Sequence, residues 1–374
     1  MFAMLALGVA MTSCNDDDEK IDGLQATVFE DATGLNLTYS DAPMAGKRVA
    51  FTPMGDSKAT LVLSGGDFVI DTRDVFQKPS MSVGVIPGEP TTTLNIDLDK
   101  RGDAVSFAGR DEKDGRVIEY LGRMDRHNMD LNLHVRMPDN ALSGKSFALL
   151  PIPEGSNVPE ETLPLIIKWT ADPFSFNSGM EDMIKMVLVG LPIFDGHTGM
   201  ELVCSSLGEI GFLKDGNIQA SYRGKTTNGE WMSSPLNVAQ YVVRGNTIGL
   251  YMNFAQLKGQ QQSRVQAGAL ISLLGIVQKM VAEGFPVKFS TDENGMTSFY
   301  IDEELLLPML KAVKPLFEDK EFNAQLLKLI LDKVGPELAP MVSGLVGPML
   351  DEMPHIIDTT TEIRLGIRTE EVIK

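Results

Sequence analysis

The chain has 374 residues, with 33 Lys and Arg against 51 Asp and Glu, a formal net charge of −18, and 43% hydrophobic residues. That much apolar content builds a packed core and excludes wholesale disorder. The excess of acid excludes nucleic-acid binding, whose affinity comes mostly from Lys and Arg neutralising phosphates.

The first element in chain order is the apolar run Phe2 to Met11. At about ten residues it is well short of the ~20 that a membrane-spanning helix needs. It suits the apolar core of an export signal, with the small residues Thr12 and Ser13 as the cleavage point. Cleavage there makes Cys14 the mature N-terminus, where a diacylglycerol on the thiol and a palmitate-type acyl group on the amine give durable anchoring at ~0.8 kcal/mol per buried methylene. The stretch "MTSC" resembles the lipobox of bacterial lipoproteins, and "NDDDE" after it resembles the surface-export tag of Bacteroidetes-type lipoproteins. The resemblance implies a signal peptide over 1–13, an acidic linker over 14–23, and an outer-membrane protein held by lipid at Cys14 and facing the cell exterior. With Cys14 acylated, Cys204 in "MELVCSSL" has no intrachain partner and reads as a small core residue.

From Leu24 onward short runs alternate apolar and polar residues: "GLNLTYS", "KRVAFTP", "ATLVLSG", "DFVIDT", "SMSVGVI", "TTLNIDL", "AVSFAG", "RVIEYLG" and "MDLNLHV". Turn signals such as "SGGD" and "EKDG" separate them, so residues 24–138 read as an all-β domain of antiparallel meanders. "RMPDNALSG" places the boundary near Asp139.

A second β region, 139–374, opens with "KSFALLPI" and "LPLIIKW" and continues through "TGMELVCSSL", "GNIQASYRG", "LNVAQYVV" and "NTIGLYMNF". "KDGN" and "VRGN" suit hairpin loops, since Gly and Asn tolerate positive φ. "MEDMIKMVLVGL" has the composition of one amphipathic helix. After Phe254 helical spacing takes over: Val265 to Met280, Leu306 to Phe317, Phe322 to Val334, and Leu338 to Leu350. Pro336 suits a first helical turn, whereas Pro340 and Pro348 should kink or cap the helix around them. "PVKFST" and "MTSFYID" form a hairpin across "DENG", and "IIDTTTEIRLGIRTEEV" supplies a final strand that returns to the sheet. The expected fold is therefore mainly β with a helical insertion over 262–353, an α+β class.

"NGEWMSSPLNVAQYVVRGNTIGLYMN", Asn228 to Asn253, resembles a family of uncharacterised Bacteroidetes lipoproteins with a lipocalin-like or calycin-like second half. The resemblance implies a calycin-like antiparallel domain over 139–374. It brings no catalytic residues with it.

Motifs for chemistry are sparse. His127, His134, His197 and His355 lie on unrelated segments without metal-ligand spacing. Ser64 and Ser343 miss the Gly-x-Ser-x-Gly elbow, and acidic stretches such as "DKRGD" lack EF-hand spacing and read as solvated turns. The sequence points to no metal, cofactor or catalytic residue. Trp231, Tyr241 and Tyr251 are the candidate ligand-binding residues, because sugars and hydrophobic ligands both dock on ring faces; buried packing is the plainer use of the same rings. Alternation puts Leu236, Val238, Gln240 and Val242 on one face, and Asn237, Ala239, Tyr241 and Val243 on the other. The expected function is non-catalytic capture of a glycan or hydrophobic small molecule by a membrane-anchored β domain. The alternative is an adhesive lipoprotein that contacts another cell-surface protein. A cavity in the second domain favours capture, whereas a filled interior favours adhesion.

Overall fold

The structure, a computed structural model, describes residues 24–66, 83–101, 104–155, 159–191, 196–257, 283–332 and 339–373, with the single residues 280, 334, 336 and 337. Cys14, the acidic run behind it, the run "DFVIDT" and the expected helix from Val265 lie outside the described residues.

The N-terminal domain contains β1 (Thr27–Glu30), β2 (Leu35–Tyr39), β3 (Ala42–Pro43), β4 (Lys47–Pro53), β5 (Lys58–Gly65), β6 (Thr91–Asp97), β7 (Asp99–Arg101), β8 (Ala104–Lys113), β9 (Arg116–Met124) and β10 (Met129–Arg136). They form two sheets, β1-β4-β5-β6 and β3-β2-β10-β9-β8-β7. Alternation does the folding: the inward set of each strand, for example Val49 and Phe51 on β4 with Leu131 and Leu133 on β10, meets in one sandwich core. Where antiparallel meanders were expected throughout, β2 and β10 pair in parallel, Leu35 opposite Met129 through Tyr39 opposite Leu133. "SMSVGVI" was expected as a strand; its described part, Val83 to Ile86, forms no ladder, although Val83, Val85 and Ile86 are buried. Lys47 explains the placement, since its buried ammonium group donates to the Val83 and Gly84 carbonyls, both at 2.9 Å.

The second half runs β11 (Lys145–Leu149), β12 (Leu165–Thr170), α1 (Met180–Lys185), α2 (Gly199–Ser206), β13 (Leu207–Phe212), β14 (Asn217–Tyr222), β15 (Met232–Ser233), β16 (Ala239–Arg244), β17 (Thr247–Met252), β18 (Phe285–Thr291), β19 (Met296–Asp302), α3 (Glu303–Phe317), α4 (Lys320–Leu331), α5 (Ala339–Thr359) and β20 (Glu362–Glu371). Eight strands, β11-β13-β14-β16-β17-β18-β19-β20, close into an antiparallel barrel where β20 returns to β11 through Phe147 opposite Glu371. The mainly β fold with helices between its strands thus agrees with the sequence, and the last strand completes the barrel.

The closure covers only part of the barrel's height. β20 pairs with β11 at Thr369 to Glu371 and with β12 at Glu362 to Ile367. Among the described residues no ladder joins β12 to β13. The chain crosses that split through α1, a π-helical turn over 186–190, and α2.

Three stretches fold differently from their local pattern. "MEDMIKMVLVGL" is α1 followed by the π turn rather than one regular helix. "TGMELVCSSL" is helix α2, not a strand, because Thr198 and Glu201 form a reciprocal capping box: the Thr198 hydroxyl accepts from the Glu201 amide at 3.1 Å, and the Glu201 carboxylate accepts from the Thr198 amide at 2.7 Å. The helix α5 also runs past its prolines to Thr359, taking residues expected in the final strand. Pro354 cannot donate to the Leu350 carbonyl. Buried Asn323 of α4 supplies a replacement donor, its amide lying 3.3 Å from that carbonyl.

Candidate functional site

Residues of seven barrel strands, most of them at inward-facing positions, line an open cavity of about 410 Å³. It is lined by Leu207, Ile210 and Phe212 of β13, Ile218 and Ala220 of β14, Ala239 of β16, Ile248, Leu250 and Met252 of β17, Val287 of β18, Phe299 to Ile301 of β19, and Leu365 to Ile367 of β20. Alternate residues recur along β13, β14, β17 and β20, as a period of two requires when one strand face looks into a barrel. No lining residue carries a carboxylate, imidazole, amine, guanidinium or thiol.

One end of the barrel is plugged by aromatic rings. Phe147 stands edge-on to Phe212 at 5.8 Å and to Phe299 at 5.2 Å; Phe212 stacks on Phe299 at 5.5 Å and meets Tyr241 edge-on at 5.0 Å. Phe212 and Phe299 belong both to this plug and to the cavity wall, so they form its floor. Toward the other end the wall runs out at Leu207, Met252 and Ile301. Leu207 follows α2 directly, and Ile301 lies one residue before the end of β19, where α3 begins.

The space exists because two inward positions are small. Ala239 lies opposite Ile218 in the β14–β16 ladder, and Ala220 comes two residues further along β14. Gly366 matters differently: opposite Tyr300 in the β19–β20 pair, a Cβ there would lie 2.2 Å from the Phe299 carbonyl oxygen. The strands approach that closely only with glycine. Lys288, held well above the ordinary lysine range by hydrogen bonds to Asp302 and Glu304 at 2.6 and 2.8 Å, pins the start of α3 to β18.

The three candidate aromatics are not brought together. Tyr241 faces the barrel interior below the cavity floor, and its hydroxyl donates to the Leu213 carbonyl at 3.0 Å. Burial pushes its phenol pKa up. Tyr251 faces the opposite way on β17 and is buried, its hydroxyl donating to the Glu283 carbonyl at 2.9 Å. Trp231 is 49% exposed beside β13, with the Arg223 guanidinium 4.6 Å from its ring centre. Of the faces read from alternation, Ala239, Tyr241 and Val243 look into the barrel, whereas Gln240 and Val242 look toward the sandwich. Cys204 lies on α2, half-buried, with its thiol pKa raised by burial.

The segment carrying those residues also joins the two domains. The Asn237 side-chain amide donates to the carbonyls of Tyr39, Ala42 and Pro43 at 3.2, 3.0 and 3.1 Å. Asn253 donates to the Ala45 carbonyl at 3.0 Å, and Gln256 accepts from the Ala45 amide at 2.9 Å. Asn217, Asn237, Gln240 and Asn253 are all buried. Asn and Gln at otherwise strand-like positions were the available signal for an interface, since such polar groups need partners once buried.

Among the described residues no group of three His, Cys, Asp or Glu side chains is placed to hold a metal ion, and no helix is long and apolar enough to cross a membrane. No protein-family model, curated protein or solved structure matches the chain.

Proposed function

We propose that this chain is a lipid-anchored, surface-exposed outer-membrane protein whose barrel captures a small hydrophobic ligand without transforming it. The carrying observation is the lining: a cavity of about 410 Å³ falls within the ~300–1,000 Å³ range of ligand sites, and apart from the Tyr300 phenol and the Met252 thioether its side chains offer hydrocarbon and aromatic contact only. A glycan bound there would strand its hydroxyls without hydrogen-bond partners, at several kcal/mol each; of the two ligand classes expected from sequence, the lining favours the hydrophobic one. It also favours capture over adhesion, which needs no such space. Acid–base or nucleophilic chemistry finds no carboxylate, imidazole, amine or thiol in this wall to carry it. The anchor rests on the order apolar run, small residues, Cys14, acidic run in the sequence.

Two experiments test the two halves. Fatty-acid labelling should mark the wild type and spare Cys14→Ala, which leaves the membrane; equal labelling of both would remove the anchor. Neutral fluorescent hydrocarbons should bind the full chain carrying Cys14→Ala and lose affinity at least tenfold on Ala239→Leu, which fills the cavity. Binding indifferent to Ala239 would place the ligand elsewhere.

A further inference from the structure

We infer that the ligand is a single-chain amphiphile, whose hydrocarbon tail fills the barrel and stops on Phe212 and Phe299 while its polar head stays outside at the helical end. This inference rests on the hydrophobic-capture reading and narrows it to one chemical class.

The shape of the cavity carries the argument. It is blind at one end, where neighbouring rings among Phe147, Phe212, Phe299 and Tyr241 pack with centres 5.0–5.8 Å apart. It runs out at the other end, where Leu207 and Ile301 adjoin α2 and α3. A head group cannot travel to the floor, because a charged or hydroxylated group there would lose its hydration and gain no partner. A ligand must therefore enter with its apolar end first. At about 410 Å³ the space lies toward the lower end of the usual range, a size that suits one straight tail. The way in is also one-sided: at the helical end no ladder among the described residues joins β12 to β13, so the barrel wall is unpaired there and leaves a place for the head.

A blind tube measures length. Each methylene that reaches wall should raise affinity about fourfold, and methylenes beyond the floor should add nothing. The test uses the full chain carrying Cys14→Ala and three series of straight-chain compounds: carboxylic acids, alcohols and alkyl glucosides, from about eight to about eighteen carbons. Affinities are read by displacement of a neutral fluorescent hydrocarbon. The expected result is a rise of about fourfold per methylene up to one limiting tail length shared by all three heads. Phe212→Ala should move that limit up by about two or three methylenes. Phe299→Leu serves the same purpose if Phe212→Ala fails to give a native unfolding curve. Ala220→Leu should move the limit down. A limit that differs with the head, no limit at all, or a limit unmoved in a folded floor variant would overturn the amphiphile. If the fluorescent hydrocarbon still binds and Ala239→Leu still abolishes it, the broader capture reading survives that failure; if no apolar probe binds, both fall.

Discussion

Replacing Asn237 by Ala should loosen the joint between sandwich and barrel and lower stability by about 3 kcal/mol. Asn237 is fully buried with φ of 64°, and its amide nitrogen faces three carbonyls of the β2–β3 hairpin at 3.0 to 3.2 Å. Two hydrogens serve those three acceptors. Losing two neutral hydrogen bonds removes about 2 kcal/mol. An alanine held in the left-handed region adds about 1 kcal/mol. Asn237→Gly relieves that last contribution and should cost about 1 kcal/mol less than Ala. Asn237→Asp keeps the shape but turns a carboxylate toward three carbonyl oxygens, so it should be the worst of the three. Urea unfolding of the full chain carrying Cys14→Ala, monitored by tyrosine and tryptophan fluorescence, gives the ranking Asp, Ala, Gly from least to most stable. Protease cleavage near Asp41 should increase in the same order as the loss. An Ala variant within about 1 kcal/mol of wild type, or an Asp variant as stable as Ala, would refute the assignment of this amide as the joint.

Other positions give equally definite outcomes. Asn323→Ala should lower stability by about 2 kcal/mol, but less in a Pro354→Ala background, where residue 354 regains the amide that the Leu350 carbonyl lacks; equal losses in both backgrounds, measured as a double-mutant cycle, would refute the coupling. Burial lowers the Lys47 pKa to about 7 from an ordinary 10.5. Between those values the unfolded chain binds the extra proton, so stability should rise with pH from about 7 to about 10, by a few kcal/mol at most, and Lys47→Met should flatten the rise in denaturation midpoints taken across that window. Gly366→Ala must push β19 from β20, and should lower stability by roughly 2 kcal/mol or more while weakening hydrocarbon binding; a neutral variant in thermal melts would contradict the close approach. Alanine at Asp16 to Glu19 should keep the anchor and lose surface exposure, read by protease treatment of intact cells, and full exposure of the variant would remove the export role.

Much of the architecture is legible locally. Strict alternation in "KRVAFTP" and "MDLNLHV" reports a half-buried strand because side chains point to opposite faces every residue, and both are strands. The change to helical spacing at Leu306 and Phe322 likewise marks α3 and α4. Where local pattern misleads, a short-range competitor is present. Residues 199 to 206 alternate well enough to suggest a strand, but the capping box at Thr198 and Glu201 satisfies two amides and starts a helix. At α5 the prolines argued for an earlier end, and the missing donor is supplied from α4, which no local window contains.

The sequence by itself determined the mainly β class and that the chain closes on a strand after its helices, since each depends on residues within one turn or one strand of each other. The tertiary structure decided where the site is. Both faces of β16 and β17 are buried, one against the barrel interior and the other against the sandwich, so alternation separates Tyr241 from Gln240 without telling which face meets a ligand. The cavity is a volume left over when Ala220, Ala239 and their neighbours on seven strands close around it, and an unfilled space is a sum over residues distant in the chain that no local pattern records.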